Sequence, residues 1–400
     1  MDNSKWNIAM LTLCQAMLFA ISATVVSVSS LAGHDLASDT HLASLPVTAW
    51  MLGAALTTLP FSLYMQRSGR RAGFLVGSCC GLAGVVVSAL AIHTADFCLL
   101  CAGTMLLGVG NGAGQYYRFA AAETVPAGSV STAVSLVLTG GLIGGLLGPH
   151  LSRYTIALFP QRYLGCYLSL ALYAVVTLLA LARFRPDPAT AASLPRIGRN
   201  WSNVIRQPFI LATILSTALV SGVMVLLMVA TPLAMSLCRH SYTAASSVVG
   251  WHFIGMFAPS LVTGRLIRRF GEVRIMLLGV LILYGCVVVA LSGSDVALFW
   301  GAMFLLGIGW NLVFIGGTTL LSNSVESEDK AVCQGCNDMC IALIQVVASL
   351  SSGWLISSGG WKDLNCVALA CITLVLALQL YLLRGSRQRI PSLAVSAEQG

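Results

Sequence analysis

Charge is what this 400-residue chain has least of: charged residues make up 9% of it, against about a quarter in a soluble globular domain. Only 14 residues are acidic. The lysines are Lys5, Lys330 and Lys362, and none stands in the Gly-Lys-Ser/Thr context of an ATP-binding loop, which disfavours a primary pump. No His-Glu-x-x-His is present, and Asp338 has no acidic companion in its apolar stretch, so a membrane-embedded enzyme is not expected. The run GVGNGAG at 108–114 follows no strand and is not a dinucleotide fingerprint. Alternating ten-residue segments are missing, which excludes a transmembrane barrel. No small-residue cleavage site follows Lys5, so no cleavable signal peptide is expected.

Cysteine is not scarce, at 13 residues, yet its placement excludes the usual uses. Cys98 and Cys101 have no adjacent histidine, and Cys333, Cys336 and Cys340 are strung along one apolar stretch. They read as small polarizable apolar residues, with no metal, cofactor or disulfide framework implied.

What is present is apolar. Hydrophobic residues are 57% of the chain and the mean hydropathy is +0.86. Twelve stretches reach the ~20 residues a helix needs to cross a bilayer. They fall near 7–29, 42–65, 72–93, 97–121, 129–152, 162–183, 208–237, 242–267, 273–292, 295–321, 331–357 and 363–384. The class is therefore an all-α membrane protein. The net charge of +8 sits in short loops between spans, a topology signal rather than a nucleic-acid surface. With the amino terminus in the cytoplasm, 18 of the 22 lysines and arginines lie inside; the exceptions are Arg153, Arg162, Arg239 and Lys362. Both termini are expected to be cytoplasmic, and the protein to be a multi-pass protein of a bacterial-type cytoplasmic (inner) membrane.

The one long connection, FRPDPATAASLPRIGRNWSNVIRQ at 184–207, divides the spans six and six. QRSGRR at 66–71 is echoed by RRFGEVR at 268–274, and LLGVGN at 106–111 by LLGIGWN at 305–311. Gly53 with Gly255 and Gly69 with Gly271 are offset by 202 positions, and Gly108 with Gly307 by 199. The expectation is a six-helix bundle at 1–183, a cytoplasmic linker at 184–207 and a second, pseudo-symmetric six-helix bundle at 208–400. In such repeats the substrate site lies near the midplane and the halves rock around it.

The chain resembles the major facilitator superfamily. That family's signature after the second helix is Gly-x-Leu-x-Asp-Arg-x-Gly-Arg-Arg. Arg67, Gly69, Arg70 and Arg71 match its end, with Gln66 in place of the acid and Ser62 in place of the first glycine. In the second half Gly264, Leu266, Arg269 and Gly271 match, and Arg268 replaces the acid. Gly140, Gly144, Gly148 and Pro149 look like the family's antiporter motif, but His150, Leu151 and Ser152 depart from it, and Thr104 stands where an outer arginine is frequent. WHFIGMFAPSLVTGRLIRRFG and GWNLVFIGGTTLL resemble a bacterial permease subgroup that includes vitamin and flavin carriers. The resemblance implies the twelve-helix major facilitator fold, a monomer, and a basic loop at Arg67, Arg70, Arg71 and Arg269 that takes part in gating.

Polar residues inside spans are the functional candidates. Asn111, Gln115 and Arg118 share a helix face. Arg118 lies roughly 12 Å, and Asp338 about 9 Å, to the cytoplasmic side of the middle of its span. The family fold would bring these two to similar depth on opposite bundles. One reading pairs them when the cytoplasmic side closes; another lets Asp338 take up a proton on opening. Structural alternatives are a snorkelling Arg118 and a water-satisfied Asp338 at a helix entrance. Glu123 is expected to face Arg70 or Arg71. The substrate candidates are Gln15, Trp50, Asn111, Gln115, Tyr116, Met224, Met228, His252, Trp310 and Asn311, a set of aromatics and amides suited to a planar or amphipathic solute. His252 sits at mid-span and could carry a proton.

The function expected is secondary active transport of a small organic solute by alternating access, coupled to protons. Vitamin or flavin uptake, drug efflux by antiport and a non-transporting sensor are the alternatives.

Overall fold

The computed structural model describes residues 3–126, 129–185, 204–325 and 329–397. Residues 186–203, most of the expected linker, lie outside the described residues.

The first half contains α1 (Asn3–Leu36), α2 (Leu45–Ser68), α3 (Arg70–Thr94), α4 (Phe97–Gly114, resumed as Tyr117–Glu123), α5 (Val130–Thr155) and α6 (Leu164–Arg183). The second contains α7 (Pro208–Leu237), α8 (Tyr242–Phe257, resumed as Ser260–Phe270), α9 (Glu272–Leu291) and α10 (Val296–Ser324), then one long apolar run from Lys330 to Ala397. That run reverses at Gly360, whose φ of 73° only glycine adopts readily, giving α11 (330–359) and α12 (361–397). Trp361 Nε1 donates to Ala290 O at 3.0 Å and Tyr284 OH to Thr373 Oγ1 at 2.9 Å, so α12 runs back along α9. Divided there, the described residues hold twelve spans, consistent with twelve crossings.

Two spans that hydropathy reads as unbroken are bent. In α4, Tyr116 N bonds to Ala113 O rather than one residue further back, a tightened turn that swings the next segment aside. In α8, Pro259 has no N–H to give, and the helix restarts at Ser260. Hydropathy averages over such breaks because no run of polar residues marks them.

The halves repeat in three dimensions. A Cβ on Gly53 would meet Met105 O, and one on Gly255 would meet Phe304 O; Gly108 lies on Trp50 O as Gly307 lies on His252 O. Gly69 (φ 85°, ψ 157°) and Gly271 (φ 84°, ψ 155°) turn the two basic loops in the same way. Between bundle helices, small residues replace hydrophobic drive as the means of close approach. Gly140, Gly144 and Gly148 of α5 press on Thr12 O, Ala16 O and Ala20 O of α1, one contact per turn. The antiporter-like glycines therefore have a packing role. α7 is apolar all round and the most enclosed span, as expected of a helix surrounded by protein.

One end of the molecule carries the start of α1 and the loops at 67–71 and 268–274, and is called the basic face. Arg153, Arg162, Arg239 and Lys362 lie at helix ends on the far face.

Candidate functional site

The bundles meet across a seam that is closed at one end. Among the described residues, every hydrogen bond between them lies in the far half. Thr48 and Ser349 share one at 2.9 Å, and Ser44 Oγ accepts from Gly353 N at 3.2 Å while donating to Leu350 O at 3.4 Å. Ser357 Oγ donates to Thr40 O at 3.0 Å and Tyr242 OH to Ser152 Oγ at 2.8 Å. Deeper in, Phe19 of α1 meets Phe257 and Phe253 of α8 edge-on at 4.7 and 6.1 Å, and Gly145 makes room for Phe253. No charge takes part in this closure.

Toward the basic face no hydrogen bond or ion pair joins the bundles among the described residues. Arg118 is half-buried at the start of the second α4 segment, its guanidinium 4.8 Å from the Phe119 ring and its Nε without a partner. Asp338 of α11 is exposed, within electrostatic range of Arg118 and Tyr116 but not in ion-pair contact. Its neighbour Asn337, buried, accepts from Thr217 Oγ1 at 2.7 Å and donates to Asp338 Oδ1 at 3.3 Å, which orients the carboxylate from α7.

Two ion pairs occur among the described residues, each within the first bundle. Arg70 grips Glu123 with two prongs, Nη2 to Oε1 at 2.6 Å and Nε to Oε2 at 3.1 Å. Arg162 and Tyr163 OH both reach Asp35 Oδ2, at 3.3 and 3.0 Å. Burial, with the Asp35 carboxylate alongside, pushes the Tyr163 phenol up, so it stays a donor. Arg71 donates instead to Ala182 O at 2.7 Å, Arg67 is exposed, and Arg269 lies over the Phe270 ring.

The remaining candidates fall in several places. Gln15 is buried beside Gly140. Trp50 is buried with its Nε1 unpartnered. Asn111 borders a small cavity inside the first bundle with Ser78 and Tyr117. Gln115 and Tyr116 form the α4 break, and Tyr116 OH donates to Thr58 O at 2.9 Å with the Arg70 guanidinium 5.7 Å from its ring. Met224 and Met228 are core residues of α7. His252 is fully buried and bonded to Met303 O at 2.8 Å. Trp310 is half-buried, stacked on Phe314 at 4.7 Å, and steadied by Nε1 donating to Ser221 Oγ at 3.1 Å. Asn311 braces the α8 break: its Nδ2 donates to Met256 O and Ser260 Oγ, both at 2.6 Å, and its Oδ1 accepts from Thr263.

Sequence reasoning passed over Phe19, Phe253, Phe257, Ser221 and Asn337, and all the serines and threonines of the far seam. The i, i+4 spacing of Phe253 and Phe257 was the one available signal. A residue type common on helix faces carries no mark of the partner it will meet.

Two pseudo-symmetric helical bundles of membrane-spanning length, hydrogen-bonded to each other at one face and not at the other, have the build of a membrane transporter for small molecules. The chain belongs to the Major Facilitator Superfamily, whose profile matches residues 9–238 and again 213–398. It is 35% identical over 379 residues to the riboflavin transporter RfnT of Brucella anthropi, covering 93% of this chain and 94% of that protein. It is also 26% identical over 362 residues to the uncharacterized MFS-type transporter YddS of Bacillus subtilis, covering 85% and 82%. Among solved structures it matches the nucleoside transporter NupG with a TM-score of 0.72 at 13% identity, covering 96% of this chain and 99% of that one. An inward-facing, occupied bacterial homolog of human lysosomal Spinster gives a TM-score of 0.72 at 15% identity, covering 97% of both.

Proposed function

We propose that this protein imports a flavin, riboflavin or a close analogue, across a bacterial inner membrane, driven by the proton gradient. The observation that carries the reading is the end-to-end 35% identity with a riboflavin transporter. The seam supports it. A tricyclic heteroaromatic ring needs flat apolar surfaces and a few hydrogen-bonding groups. The half-buried Trp310–Phe314 stack, with Ser221 bonded to the indole, is of that character. Among the described residues Arg118, on the basic side of mid-span, is the one arginine singled out near the seam, which disfavours multiply anionic cargo.

With both termini cytoplasmic, the unjoined basic face opens to the cytoplasm and the hydroxyl seam seals the outside. Arg118 and Asp338 then close on each other when the inner side shuts, and the halves 1–183 and 208–400 rock as a monomer about the 184–207 linker.

The test is uptake of radiolabelled riboflavin by proteoliposomes with and without an imposed pH gradient, with flavin mononucleotide as competitor. Accumulation above equilibrium only with the gradient, weakly inhibited by the phosphorylated form, is expected. Gradient-independent equilibration would remove the proton from the reading, and no uptake would remove the flavin.

A further inference from the structure

His252 stands in the middle of α8 with no exposed surface. Its Nδ1 lies 2.8 Å from Met303 O of α10. A carbonyl only accepts, so Nδ1 carries the hydrogen and the neutral ring presents Nε2 as a lone pair. That atom is buried and meets no donor. A buried acceptor left unmet is an exception among native polar groups and calls for a reason.

Its surroundings narrow the reasons. α7 and α10 contain no Asp, Glu, Lys, Arg or His. The first α8 segment holds only Tyr242 besides, hydrogen-bonded to Ser152 at the far end. α5 contributes His150, Arg153 and Tyr154, clustered with one another at the far face. α1, which meets α8 through Phe19, carries Cys14 and, near its two ends, Lys5, His34 and Asp35; no charged side chain faces the imidazole from any of these elements. The repeat-equivalent position in the first bundle is Trp50, whose ring nitrogen is also unpartnered but cannot take up a proton near neutral pH. The adjacent Phe253 packs on Gly145 and Phe19, so α8 moves against the first bundle whenever the far seam opens.

We propose that Nε2 of His252 takes up the co-transported proton when the seam opens toward the far face. This rests on the proton-coupled flavin reading above. An O–H bond of a hydronium ion breaks as Nε2–H forms, and the proton returns to water on the basic face as the cargo leaves. The charged ring has two N–H donors, but Met303 O serves only one. Closing the far seam over it therefore needs a second acceptor, which a carbonyl oxygen of a flavin-type ring supplies. Neither the proton alone nor a vacant charged carrier completes the cycle.

The test compares wild type with His252→Asn, which keeps a donor near the Nδ1 position, and His252→Gln, in proteoliposomes that report riboflavin counterflow, gradient-driven accumulation and proton influx by an internal dye. The expected result is accumulation and proton influx lost in both variants, with counterflow persisting at a raised KM for riboflavin. Variants that accumulate riboflavin with proton influx like wild type would overturn the assignment and leave the flavin reading standing. Wild type that moves riboflavin with no proton influx would overturn coupling and assignment together. A cargo-independent readout is the ¹⁵N signal of His252 Nε2 in nanodiscs, identified by its loss in His252→Asn. It should pass from lone-pair to N–H character as pH falls, and a signal that never moves overturns the assignment whatever the cargo.

Discussion

Arg70 and Glu123 clamp the turn after α2 to the end of α4 through two parallel hydrogen bonds at 2.6 and 3.1 Å. The side chains are 17% and 22% exposed, so the pair is less screened than a surface contact. It fastens the basic loop to the Tyr117–Glu123 segment that carries Arg118, and so makes one rigid unit of the first bundle's inner end. Glu123→Ala should lower stability by about 1–3 kcal/mol, because it strands a partly buried guanidinium. Thermal unfolding followed by fluorescence would show this. The exchange Arg70→Glu with Glu123→Arg should recover more than half of the loss.

The far seam depends on neutral hydroxyls. Thr48→Val or Ser349→Ala removes one hydrogen bond worth about 1 kcal/mol. Either should move the balance between far-closed and far-open forms roughly fivefold toward open. Labelling of a cysteine placed at Leu350 measures that balance. The double variant should add little to either single one, and full additivity would show that the two hydroxyls act separately.

Arg118 and Asp338 should behave as a pair only when the basic side is shut. Asp338→Asn is expected to favour the form parted at that side and to slow net uptake while leaving exchange intact. A charge swap, Arg118→Asp with Asp338→Arg, should restore part of the rate. Unchanged net uptake in Asp338→Asn would reduce the latch to packing.

Close approach makes a sharper prediction. Gly144→Val would drive a side chain into Ala16 O and should cost about 1–3 kcal/mol or more. Gly264→Ala, where nothing lies within 4 Å, should be silent. Size-exclusion profiles of the two variants give the comparison.

Trp310→Phe loses the bond to Ser221 and part of the stacking surface. If that face receives the flavin ring, KM for riboflavin should rise about tenfold, equal to about 1.4 kcal/mol, with little change in stability. A fall in stability with KM unchanged would make Trp310 a packing residue.

Local chemistry sufficed for the twelve crossings, since a run of apolar residues must satisfy its own backbone in lipid and can do so only as a helix. It sufficed for the repeat as well: Gly53, Gly108, Gly255 and Gly307 mark crossings too close for a side chain, and such positions survive in register along both halves. It brought Glu123 near the 66–71 loop, because an acid at a helix end beside a basic turn has few other partners. Tertiary structure alone decided the rest. Thr48 meets Ser349 and Phe19 meets Phe253 across more than half the chain's length, and no periodicity in either helix names the other. Asn311 reads in the sequence as one more mid-span amide, and only the bend at Pro259 places Met256, Ser260 and Thr263 around it. His252 was legible as a titratable group at mid-span. Only the fold revealed that one nitrogen is engaged and the other bare, because which lone pair is met depends on what a second helix brings alongside.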